Sequence, residues 1–190
     1  MNITRDQANT LLNEWVQSEA LRRHMYAVEA AMRAYAKKFG EDEELWSITG
    51  LLHDFDYEKF PTPDAAAKTG HPFEGVRYLE SHGYPKEMLD AILGHTLYSG
   101  VPRESIMAKA LFACDELCGF VVAVARMRPD KLKDMEASSV KKKLKDKKFA
   151  EKVSREDIEL GIQELGLEKD EHIHFVIQAL QPVAGELGLV

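Results

Sequence analysis

Apolar residues recur along the chain at helical spacing. Between Asp6 and Glu19, the residues Ala8, Leu11, Leu12 and Trp15 form one stripe behind Thr4, a candidate N-cap. A second helix is predicted from near Ser18, with Leu21, Met25, Val28, Ala31, Met32 and Tyr35 on its inner face. Gly40, after Phe39, suits a left-handed cap at its end. A third opens on the acidic run Glu41 to Glu44, where the helix dipole favours carboxylates. It passes through Trp46, Ile48, Leu51 and Leu52 and closes on His53-Asp54.

Phe55 to Gly70 reads as a loop holding Pro61 and Pro63. His71-Pro72 opens a short helix stopped at Gly83, and Pro85 starts another that leads through Ile92 and Leu93 to His95. After a turn over Leu97 to Arg103, Ser105 to Met127 is predicted as a long central helix. Pro129 to Lys148 is charged. Its lysines at 141, 142, 143, 145, 147 and 148 cannot share one helix face, which predicts a solvated segment. Ser154 then leads a helix to Leu165-Gly166, and Asp170 begins the last, with Ile173, Val176, Ile177 and Leu180. No strand pattern, repeat or dividing linker interrupts this. The expectation is one all-α helical bundle of roughly eight helices over 1–190.

A few polar residues break the pattern. His53 and Asp54 follow two leucines that need burial, and Asp115 sits among Ala108, Leu111, Phe112, Gly119 and Val122 on one helix face. His24 borders the stripe of the second helix, and His95 follows Ile92-Leu93-Gly94. Buried imidazoles and carboxylates are costly unless hydrogen-bonded or bound to metal. Side chains projecting inward from several helices are how a bundle builds a metal site. Two or three imidazoles with carboxylates suit a divalent transition ion (Fe, Mn, Co, Ni or Zn, with Mg admitted).

Bulk properties narrow the function. The chain has 190 residues and a formal net charge of −7, which argues against a nucleic-acid polymer as partner. A small phosphorylated substrate held by a few local cations stays compatible. Cys114 and Cys118 are unlike a disulfide framework and fit small apolar packing in a cytoplasmic protein. The N-terminus lacks the apolar core of a signal peptide, and Lys109, Asp115, Glu116 and Arg126 interrupt the most apolar stretch, so no membrane span is expected. A homodimer is left open.

The ordered set His24, His53-Asp54, His95 and Asp115, with Arg23 before His24, His71 with Gly75, and Ala113 before Asp115, resembles the HD-domain superfamily of metal-dependent phosphohydrolases, in its HDIG-related branch. The likeness covers about Leu21 to Phe120. It implies an all-helical metal-site core, taken here as about 21–127, with a C-terminal helical extension at 128–190. It implies that His24, His53, Asp54 and Asp115 hold a first metal. His71 and His95 stand where two-metal members bind a second, with Asp54 bridging. The implied activity is hydrolysis of a phosphate ester or anhydride, such as a nucleotide, by metal-activated water. A di-iron oxygenase of the HD-domain type and a non-catalytic metal-bound sensor or scaffold are the alternatives. Phe55-Asp56-Tyr57 departs from the Ile-Gly of the HDIG pattern. Asp56, beside Asp54, is therefore a catalytic candidate for proton transfer, as is Glu58. Arg23, Lys59 and Arg77 are the candidate substrate-binding cations.

Overall fold

The helix starts follow the caps that the sequence offers. Thr4 closes a reciprocal capping box with Gln7 at the head of α1 (Arg5–Trp15). Ser18 accepts from the Leu21 amide at the start of α2 (Glu19–Phe39), and Asp42 accepts from two amides at the start of α3 (Glu43–Leu52). Pro72 and Pro85 precede α4 (Phe73–Ser81) and α5 (Lys86–Gly94). Ser105 caps α6 (Ile106–Arg126), and Ser154 caps α8 (Arg155–Leu165). Between these two lies α7 (Ala137–Leu144), and α9 (Lys169–Leu180) completes the set. This computed structural model describes residues 3–190. Among them are nine α-helices and no strand beyond the isolated bridge Asp64–Thr69.

The antiparallel helices α2 and α3 pack closely on each other, and α6 packs against α2, α5 and α8. One apolar cluster runs through all of it, from Ala8 to Leu189, so the bundle is a single domain. The approach of α3 to α2 is set by Gly50. A Cβ there would lie 2.8 Å from the Val28 carbonyl oxygen. That closeness carries the end of α3, and with it His53, against the face of α2 that bears His24.

The charged segment departs from the solvated stretch predicted for it. Residues 137–144 form α7 because Val140 is buried in the core and Ala137 and Leu144, three before and four after it, pack against the same cluster. Lys141 pairs with Asp170 on α9 at 2.7 Å. This ninth helix is the one that the lysine spacing hid.

Beyond α3 the chain continues in tight turns rather than leaving the core. Phe55 is fully buried against Trp15, with ring centroids 4.8 Å apart, and so anchors the turn. Residues on either side of it are thereby sent in different directions. Asp54 turns toward α6 and Asp56 toward the start of α4.

Candidate metal centre

Six side chains from five places in the fold converge at one end of the bundle. His24 comes from α2, His53 and Asp54 from the end of α3, His71 from just before α4, His95 from the end of α5, and Asp115 from mid-α6. They form two groups with ligand atoms within 4.8 Å of one another: His24, His53 and Asp115, and Asp54, His71 and His95. Asp54 links the two groups. Its Oδ2 lies 3.5 Å from His53 Nε2 and 3.8 Å from His24 Nε2. Its Oδ1 lies 3.3 Å from the Nε2 of both His71 and His95.

Hydrogen bonding on the far side of the rings fixes what faces the centre. His53 Nδ1 donates to the Gly50 carbonyl at 2.7 Å, and His95 Nδ1 donates to the Ile92 carbonyl. His71 Nδ1 donates to Asp56 Oδ1 at 2.7 Å. A neutral imidazole with its proton on Nδ1 presents a lone pair at Nε2. In the second group, three acceptors therefore meet: His71 Nε2 and His95 Nε2 are 3.2 Å apart, and both face Asp54 Oδ1. In the first group, His53 Nε2 is fully buried without a hydrogen-bond partner, 3.4 Å from Asp115 Oδ1. Converging lone pairs at these separations repel unless a cation sits among them, so the donor set fits bound metal ions.

Without an ion, His53 and its two carboxylates favour one another's charged forms. Burial disfavours a charged His53, but Asp54 and Asp115 overcome it and hold its pKa well above the ordinary histidine value. Burial likewise opposes charge on Asp54 and Asp115. His53 outweighs it at both, helped by His95 and His71 at Asp54 and by His24 at Asp115, and both carboxyls lie well below the usual carboxylate range. Glu116, next to Asp115, is pushed up to about 7 by burial and by the Asp115 charge.

The centre opens into a cavity of about 620 Å³. Tyr57, Leu97, Tyr98 and Phe112 give it an apolar and aromatic rim. Tyr98 is fixed by its hydroxyl, which donates to the His71 carbonyl at 3.0 Å. Glu116 and Asp157 add acidic groups, and no lysine or arginine lines the space. A cavity of similar size beside α2 and α9 has no such convergence. Its Arg5 and Glu29 are already paired with each other at 2.6 Å.

The three cations expected at the site are engaged elsewhere. Arg23 pairs with Glu19 one turn earlier on α2. Lys59 lies over the Trp15 ring, 3.9 Å from its centroid. Arg77 bonds the Lys68 carbonyl and Glu74. All three lie close to the ligands in sequence, but helix phase and the loop turn them away from the cavity. Asp56 also differs from a proton-transfer group. It is 1% exposed, and its two oxygens accept from His71 Nδ1 and from the Gly75 amide, each at 2.7 Å. Glu58 accepts from the Gln17 and Ser18 amides at the turn between α1 and α2.

Two contributors to the region escaped the sequence pattern. Asp157 is an ordinary first-turn acid of α8 by sequence, and only the packing of α8 on α6 brings it to the cavity. His172 is fully buried behind the centre, where its Nε2 donates to the Ala113 carbonyl at 2.9 Å and its Nδ1 accepts from the Tyr35 hydroxyl. Its place four before Val176 and eight before Leu180, on the inner stripe of α9, was the available signal.

Residues 21–119, more than half of the chain, match the family model described as HD domain. The chain belongs to the HD domain family. Neither curated proteins nor solved structures show a significant match to it. All six converging residues lie inside the HD domain match. The bundle agrees with an HD-type all-helical fold, and histidines and aspartates of the matched residues make up both metal-competent groups. No helix of the described residues is long and apolar enough to cross a membrane.

Proposed function

We propose that this HD domain protein is a metal-dependent phosphohydrolase that uses two divalent transition ions to cleave a small ester or anhydride of phosphate. The observation that carries the reading is the pair of lone-pair clusters joined through the two oxygens of Asp54. His24, His53, Asp115 and Asp54 Oδ2 would hold one ion, and His71, His95 and Asp54 Oδ1 the other. Two such ions supply Lewis acidity toward a phosphoryl oxygen and make a water acidic enough to serve as nucleophile near neutral pH.

The chain's own residues do the rest. Asp54, shared between the groups, sets their spacing. The tautomers of His53, His71 and His95, locked from behind, keep their Nε2 atoms aimed inward. Tyr57, Leu97, Tyr98 and Phe112 offer an apolar surface to the organic part of the ester and exclude water from it.

Charge in the cavity supports a substrate with one phosphoryl group. Two divalent ions against Asp54 and Asp115 leave a surplus that one phosphate dianion neutralises. Further phosphates would meet Glu116 and Asp157 with no lysine or arginine to offset them. The net charge of −7 supports the exclusion of a nucleic-acid polymer. Cys114 and Cys118, both buried and unpaired, are in keeping with a reducing, cytoplasmic setting.

The test is phosphate release from a panel of phosphoesters by protein loaded with Mn²⁺, Co²⁺ or Fe²⁺. Metal-dependent release that Asp54→Ala abolishes is expected. Release by Asp54→Ala at the wild-type rate overturns the reading. So does a loaded protein that consumes O₂ on its substrate and frees no phosphate, the outcome that an oxygenase would give.

A further inference from the structure

The two metal-competent groups are not equivalent, and the difference lies behind the rings. The first has two carboxylates facing it, Asp115 and Asp54 through Oδ2. The second has one, Asp54 through Oδ1. His53 and His95 are oriented by neutral backbone carbonyls. His71 is oriented by a full carboxylate, Asp56, which is buried and has no other side-chain partner.

Asp56 is itself held by one backbone group. Its Oδ2 accepts from the Gly75 amide in the first turn of α4. Gly75 leaves that amide accessible, because a Cβ at this position would lie 2.7 Å from Asp56 Cγ. The chain thus spends a glycine and a buried acid on one imidazole.

We infer that Asp56 is a positioning residue that makes the His71–His95–Asp54 group a metal site, supplying through His71 the second negative charge that Asp115 gives the other group. The inference rests on the two-metal reading above. A carboxylate on Nδ1 keeps the ring proton there, raises the basicity of Nε2 and fixes the plane of the ring. Asparagine cannot replace it. With its oxygen toward Gly75, its amide would donate to His71 Nδ1, forcing the proton to Nε2 and blocking that lone pair. With its oxygen toward His71, two donors would meet at Gly75.

The test is Co²⁺ binding by calorimetry, with metal content measured after dialysis. Wild type is expected to take up two ions per chain. Asp56→Asn is expected to keep one at unchanged affinity and to bind the other about 10–100-fold more weakly. Gly75→Ala, which pushes Asp56 aside by another route, is expected to lose the same ion. A purely structural role would lower the melting temperature of both variants and leave two ions bound. That result overturns the inference while the two-metal reading stands. Wild type that binds one ion or none overturns both. Should both variants fail to fold, the nitrogen shifts of the His71 ring in metal-free wild type decide. A protonated Nδ1 with a strongly deshielded proton supports the inference, and a protonated Nε2 overturns it.

Discussion

His71 Nε2 and His95 Nε2 face each other at 3.2 Å, and each ring has already committed its proton to an acceptor behind it. The fold holds this contact in place through α4, α5 and the buried turn at Phe55, and a cation bound between the rings would relieve it. Metal would therefore add to stability as well as supply chemistry. Chelator is expected to lower the melting temperature, and Co²⁺ or Mn²⁺ at about a hundred times its Kd to restore about 2.7 kcal/mol. Calorimetric melting with and without metal measures this. In Asp54→Ala, which cuts the link between the groups, most of the metal-dependent shift should vanish.

The close approach of α2 and α3 has its own test. In Gly50→Ala the new Cβ would meet the backbone at Val28 and Glu29, at 2.8 to 2.9 Å. Backbone cannot give way as a side-chain end can, so the helices must separate. A loss of about 1–3 kcal/mol is expected. His24 and His53 should also part, which weakens metal uptake at the first group. Denaturant melts and metal titration read the two effects separately.

Substrate charge should be reversible from outside the ligand set. Asp157→Lys replaces an acid of the cavity by a base. Its kcat/KM for a nucleoside triphosphate, relative to the monophosphate, is expected to rise roughly tenfold, or about 1.4 kcal/mol. Metal content should stay as in wild type. An unchanged ratio would show that Asp157 does not read the substrate.

His172 predicts an acid limit to stability that is independent of the metal. Burial, against the support of the Ala113 carbonyl, keeps its pKa below the ordinary value of 6.5. As pH falls below 6.5 the unfolded chain takes up a proton that the folded chain refuses. Unfolding is then favoured progressively until the lower folded pKa is reached, and stability returns as pH rises. His172→Leu should remove this contribution to the pH slope. It should also cost about 1–3 kcal/mol at neutral pH, because the buried Tyr35 hydroxyl loses its acceptor. Urea melts across the acid range measure both.

Much of the centre was legible in the sequence because its residues violate the apolar pattern. His53 and Asp54 after two leucines, and Asp115 within the inner face of α6, have no inexpensive explanation without a partner. Helix ends were legible for a similar reason: Thr4, Ser18, Asp42, Ser105 and Ser154 each satisfy amides that a helix leaves unpaired. The direction of a loop side chain was not legible. Asp56, Lys59 and Glu58 are neighbours in sequence, yet they reach His71, Trp15 and the head of α2 respectively. Tertiary packing of the buried Phe55 decides among such directions, and no period in the sequence encodes it. The same holds for α7, where Ala137, Val140 and Leu144 on one face outweigh a run of lysines.

The six converging residues and the Asp56–Gly75 support all fall within residues 21–119, whereas Val153 and Asp157, which also line the cavity, come from beyond it. In the proposed hydrolase, the ligands therefore sit on one length of polypeptide, while the wall that meets the substrate is shared between that length and a later one. A change at Val153 or Asp157 can alter what is accepted without touching what does the accepting. Likeness across the ligand-bearing half is then an incomplete guide to the molecule that enters.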